Sequence, residues 1–82
     1  MQLILLSPVK TLFNGDVESV TIPGSKGQFT VLPQHAPLMT TIEKGVITYV
    51  TKDGETSLTV EDGFADVKNN VVSICIEKFK KD

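Results

Sequence analysis

His35, Cys75 and a scatter of carboxylates are the side chains of this chain that can do chemistry, and each is short of partners. His35 is the only histidine. As a general base it needs a nucleophile and an orienting acid within hydrogen-bond reach, and its sequence neighbourhood offers only the plain hydroxyls of Ser25, Thr40 and Thr41. Its place between Pro33 and Pro37 suits a residue that orders a loop or touches a partner. Cys75, the only cysteine, lies in a run of β-branched residues and reads as a buried thiol acting as a small hydrophobe. One His and one Cys do not fill a structural zinc site. Asp53, Glu55, Glu61, Asp62 and Asp66 lack the spacing of a calcium loop and read as turn residues and a wet face. Gly24, Lys26 and Gly27 stand too close together, and in the wrong order, for a phosphate loop. No catalytic, cofactor or metal site is expected. Lys52, beside Asp53-Gly54, leaves one alternative: a small β carrier domain displaying a modified lysine at a hairpin tip. Solvent exposure alone also puts a lysine there.

The elements that must position these residues are strands. Val, Ile and Thr number 25, against two Ala and no Trp or Arg. β-branched side chains lose rotamer freedom in a helix and pack well on a pleated surface. Hydrophobic residues at 40% and charged residues at 22% place the chain among globular domains rather than disordered ones. At 82 residues it is one domain, with a folded surface of about 4,800 Å² and little room for a deep cavity.

Leu3–Leu6 reads as an outer or first strand, halted by Pro8. Val9–Phe13 reads as a brief strand before Asn14-Gly15, the strongest local hairpin signal in the chain. Asp16–Ile22 alternates loosely, as an edge strand does. Pro23–Gly27 is turn chemistry, and Pro33–Pro37 is a rigid irregular loop, because two prolines remove two donors and restrict φ. Leu38–Ile42 resumes a strand. Val46–Thr51 pairs with Glu55–Val60 across Lys52-Asp53-Gly54. Asp62-Gly63 turns into Phe64–Lys68, Asn69-Asn70 turns again, and Val71–Glu77 closes the domain. Val72, Ile74 and Ile76 share one face of that last strand and Val71, Ser73 and Cys75 the other; both look protected, which places it near the centre. The four Phe and the Tyr read mostly as core. Glu77–Asp82 has residues enough for one helical turn but not for a stable helix. Eight or nine short strands parted by Gly, Pro and Asn turns make an all-β, small flattened sandwich.

A formal charge of −2 without a basic stripe argues against nucleic acid. The opening segment has no basic flank and too short an apolar run for a signal peptide or a membrane span. Pattern alone therefore ends at a binding or structural module.

The stretch Pro23-Gly24-Ser25-Lys26-Gly27-Gln28-Phe29-Thr30-Val31-Leu32-Pro33-Gln34-His35-Ala36-Pro37-Leu38 carries more. Together with Phe13-Asn14-Gly15, Lys44-Gly45-Val46, Asp62-Gly63-Phe64 and Asn69-Asn70-Val71, it resembles the epsilon subunit of F-type ATP synthase, named delta in mitochondria. The resemblance covers residues 1–77, with 78–82 left as a short charged tail. It implies a sandwich of about ten short strands in the central stalk of the rotary synthase. That domain binds the gamma subunit and rests on the c-ring, so it associates peripherally with a membrane through the complex. The membrane would be the bacterial inner or plasma membrane on its cytoplasmic side, or the thylakoid or mitochondrial inner membrane. The matching ring-facing positions are Gln28 and His35, with Phe29, Val31 and Leu32 mostly packing. Where the family usually has an acid, this chain has Gln28, which exchanges an ion pair for a hydrogen bond. The chain stops at Asp82, where the family's C-terminal helical hairpin would begin, so inhibition or ATP binding through that hairpin is not expected. The resemblance implies a non-catalytic coupling subunit without a cofactor.

Overall fold

β-branched alternation, tight turns and the absence of helix-forming filler resolve into eight strands: β1 (Gln2–Leu6), β2 (Thr11–Asp16), β3 (Ser19–Gly24), β4 (Gly27–Val31), β5 (Leu38–Ile42), β6 (Gly45–Thr51), β7 (Gly54–Lys68) and β8 (Val71–Lys81). The computed structural model describes the backbone of residues 1–81 and, apart from positions 78, 80 and 81, their side chains. There is no helix among the described residues.

The hydrogen-bonded order is β2-β1-β8-β7-β5-β3-β4, with β6 joining β3 and β7. This sheet folds over itself into a flattened sandwich measuring 28 × 27 × 20 Å. One layer holds β2, β1, the first half of β8, the second half of β7, and β5. The other holds β4, β3, β6 and the first half of β7, with the end of β8 beside it. β1 and β8 pair in parallel, Gln2–Leu6 against Val71–Cys75. Every other pairing is antiparallel.

Between the layers lies an almost wholly aliphatic core. Leu3, Val20, Ile22, Val31, Ile47, Val60, Val72 and Ile74 are fully buried, and no polar or charged residue is buried among the described residues. Tyr49 and Phe13 close one side with rings 4.6 Å apart. The accessible surface of 4,977 Å² agrees with the value expected from chain length.

Several expectations change where distant pairing overrides a local signal. Asn14-Gly15 is no turn: both residues lie within β2, opposite Ile4 and Leu3, and the Gln2 side-chain amide donates to Asn14 Oδ1 at 2.9 Å. The β1–β2 turn is instead Ser7–Lys10, where the Ser7 N–H donates to the Lys10 carbonyl (2.9 Å) and Ser7 Oγ accepts from the Lys10 N–H (3.2 Å). β1 is interior, between β2 and β8, and β3 is interior too, so the edges fall to β2 and β4. Asp62-Gly63 does not end a strand. Glu55–Val60 and Phe64–Lys68 are both parts of β7, which shifts register against β8 around Asp62 as it passes between layers. This merging removes one strand from the count, which stands at eight. β8 runs straight on to Lys81, so the chain from Glu77 is strand rather than a helical turn; Asp82 lies outside the described residues.

Turn chemistry holds elsewhere. Gly27 and Gly54, at φ +117° and +130°, follow the two-residue tips Ser25-Lys26 and Lys52-Asp53. Asn69 and Asn70 sit at φ +54° and +63°, the two positive values a tight hairpin of this hand requires. Asn70 Oδ1 also accepts from the Gln34 N–H at 2.9 Å. Asn70→Ala is therefore expected to cost about 1–2 kcal/mol, by forcing an alanine to positive φ and removing that bond. Urea denaturation measures the loss; Asn70→Gly should recover the backbone part alone.

Candidate interaction site

The proline-bracketed loop and the outward faces of the sheet are the surfaces left after the core is filled. Residues 32–37 are all exposed, as the sequence expects of a rigid irregular loop. Gln34 holds φ +66°, and its N–H is tied to Asn70 across the end of the sandwich. His35 Nδ1 lies 2.7 Å from the Ala36 carbonyl. A carbonyl only accepts, so the contact places a proton on Nδ1 and leaves Nε2 of the neutral ring free to accept from outside.

Gln28 is exposed on β4, opposite Pro23 in β3. Phe29 and Val31 turn the other way, Val31 fully buried and Phe29 packed against the core. Leu32, expected to pack, is 57% exposed. Gln28 precedes Val31 by three residues, roughly 10 Å along the strand, with the His35 loop beyond. The structure thus exposes both ring-facing candidates but holds them toward opposite ends of β4, not in one cluster. Lys52 is exposed in the β6–β7 tip, where its only distinction is the turn itself.

Sequence reasoning missed the larger surface. Cross-strand pairing lines up Thr41, Phe64, Cys75 and Leu6 in one row, and Met39, Asp66, Ser73 and Ile4 in the next. All point away from the core, because Ile42, Ala65, Ile74 and Leu5 on the alternate positions point into it. Asp66 is the only charged residue in these two rows. Met39 is 67% and Phe64 41% exposed. Cys75 is exposed as well, which corrects its reading as a buried thiol. The sequence signal is a protected second face on β8, and among the described residues no layer covers that face. Phe64 and Phe79 likewise leave the aromatics less completely in the core than composition suggests.

The outer face of the other layer differs in kind. Thr30, Thr21, Thr48 and Ser57 line up across β4, β3, β6 and β7, with hydroxyl contacts of 3.0 Å (Thr21–Thr30) and 3.1 Å (Thr48–Ser57). The two outer faces thus differ: one is lined by hydroxyls and the other exposes Met39 and Phe64. Among the described residues neither gathers a nucleophile, a base and an orienting acid.

Comparison with known proteins agrees on one family. The family described as "ATP synthase, Delta/Epsilon chain, beta-sandwich domain" matches residues 1–82. The "ATP synthase epsilon chain" of Leptospira borgpetersenii is 44% identical over 70 residues, covering 85% of this chain and 55% of that one. The protein of the same name from Caulobacter vibrioides is 43% identical over 75 residues, covering 89% and 85%. The chain thus spans about half the length of the first of these relatives and most of the second. In the Euglena gracilis mitochondrial ATP synthase, described as OSCP/F1/c-ring, one chain superimposes with a TM-score of 0.86 at 24% identity, covering 98% of this chain and 53% of that one. At that identity the likeness is one of fold.

Proposed function

The chain belongs to the β-sandwich family of ATP synthase delta and epsilon chains, and on that premise we propose that it is a non-catalytic part of the central stalk of an F-type synthase. It docks sideways on the gamma subunit and end-on against the c-ring, and so couples ring rotation, driven by ion flow, to the catalytic head. The observation that carries this reading is the outward face of β5 and β7, where Met39 is 67% and Phe64 41% exposed and no layer covers them among the described residues. A rotor part has to hold its shape under torque rather than move a proton. β7 and β8 serve that need, since each runs through both layers and ties them covalently.

Against the ring, Gln28 supplies an amide that donates and accepts at one end of β4, and His35 supplies its free Nε2 beyond the other, so the two mark separate contacts along that edge. Pro33 and Pro37 lower the ordering cost of docking by restricting the free loop. Membrane association is peripheral and comes through the complex; among the described residues no helix is long and apolar enough to cross a membrane.

Co-purification with gamma and a c-ring tests the reading. The wild-type chain should retain both. Gln28→Ala with His35→Ala removes two polar contacts worth about 1 kcal/mol each, so ring retention should fall roughly tenfold to thirtyfold with gamma binding unchanged. Failure of the wild-type chain to hold either partner overturns the stalk reading. Undiminished ring retention by the double variant overturns only the assignment of Gln28 and His35.

A further inference from the structure

Beside the face that exposes Met39 and Phe64 the sheet carries an opening that side-chain exposure alone does not reveal. β5 pairs with β7 along its whole length but meets β3 at a single position, Gly24 opposite Ile42. The two bonds flanking that position run from the Ser25 N–H to the Thr41 carbonyl (3.1 Å) and from the Glu43 N–H to the Pro23 carbonyl (2.8 Å). Thr41 therefore turns its backbone groups toward β3, and strand periodicity turns those of Met39 the same way. β3 does not continue alongside. It folds back at Ser25-Lys26 into β4, and the edge of β5 from Thr40 back to Pro37 is left without a neighbouring strand among the described residues.

The space vacated is a groove of about 510 Å³ between the β3–β4 tip and β5. Phe29 and Leu38 line it on the core side, and Met39 and Phe64 on the outer side. Lys26 is the one charged residue among the described residues of its wall. Outward N–H and C=O groups at strand spacing are matched geometrically by another extended backbone. The apolar walls favour aliphatic side chains on that backbone, and Lys26 favours a carboxylate at the end nearest the tip.

We propose that this groove takes an extended segment of a partner protein as an added strand, antiparallel to β5. The segment is aliphatic along its length and acidic at its N-terminal end. It occupies the path β3 would have followed had it run straight on past Gly24, with the Met39 N–H and C=O as its central anchor. The groove adjoins the face through Met39 and Phe64, so the inference specifies how the proposed stalk partner is gripped and rests on that reading for the partner's identity. The groove itself is testable without that partner.

The probe is a blocked pentapeptide, Glu-Val-Ile-Val-Thr, titrated to about 1 mM into the isotope-labelled chain, a range that registers weak binding. Amide shifts are expected at 24–27 and 38–41, with slowed exchange at the Met39 amide. Methylating the peptide nitrogen that faces the Met39 carbonyl should weaken binding about fivefold to tenfold. Met39→Pro removes the outward donor but spares the bonds to β7, which come from Leu38, Thr40 and Ile42. It should remain folded and lose binding to the same degree. No shifts at that concentration, shifts elsewhere, or equal binding of the methylated peptide each overturn strand addition. Gamma retained without peptide binding would leave the stalk reading standing alone; peptide binding without gamma would leave the groove standing alone.

Discussion

Exchanging Met39 and Phe64 together for lysine is expected to abolish retention of the gamma subunit while leaving the domain folded. Both side chains are largely outside the core, so the free chain loses little; exposed substitutions usually fall within about 0.5 kcal/mol. Met39 lies directly opposite Asp66, and a lysine there gains a cross-strand partner of opposite charge. In a docked face the balance reverses. Truncating a well-packed aromatic anchor costs about 2 kcal/mol or more, and an unpaired ammonium sealed in an apolar contact costs several more. The double variant should therefore bind gamma at least about a thousandfold more weakly, with a melting temperature within a few degrees of wild type. Quantitative co-purification beside a thermal melt reads both. Unchanged gamma binding would move the docking site off this face and leave the hydroxyl-lined face as the alternative.

Gly63→Ala is expected to be the most damaging single-methyl change in the domain. Gly63 sits where β7 passes from one layer to the other, opposite Ile42 on β5 and Ile76 on β8. A Cβ built there would stand 2.6 Å from the Cys75 carbonyl oxygen and 3.4 Å from Ile76 Cα. Both obstacles are backbone in a central strand, so relief requires β8 to move away from β7. Overpacking of this kind costs about 3 kcal/mol, which in a domain of this size lowers the melting temperature by roughly 12–24 °C. Gly27→Ala is the control. Its Cβ would meet nothing within 4 Å, so only the positive φ opposes it, for about 1 kcal/mol. Equal melting temperatures for the two variants would show that the close approach at Gly63 is not what fixes this residue as glycine.

The same position shows where sequence reading succeeds and where it stops. Strand Leu38–Ile42, the Val46–Thr51 hairpin across Lys52-Asp53, and the Asn69-Asn70 turn are legible because their signals are local: alternation, a glycine at the tip, two residues that tolerate positive φ. Asp62-Gly63 and Asn14-Gly15 carry the same local signals but are strand, since their neighbours across the sheet, Ile76 and Lys78 for the first and Ile4 and Leu3 for the second, decide the matter. Cys75 reads from the sequence as a buried thiol, and the structure exposes it. Whether a residue's cover comes from within the chain or from outside is a property of the assembled layers, and residue type does not encode it. The loop holding His35 was readable from its prolines. The ring-facing role proposed for His35 and for Gln28 rests on family resemblance alone, because an exposed glutamine and an exposed imidazole look the same whether or not a partner follows.

The parallel pairing of β1 with β8 has a mechanical corollary. The first and last strands lie side by side and run the same way, so the chain enters at one end of that pair and leaves at the other. A pull on the two ends therefore slides the strands past one another. The bonds between 2–6 and 71–75 would strain together instead of unzipping in turn.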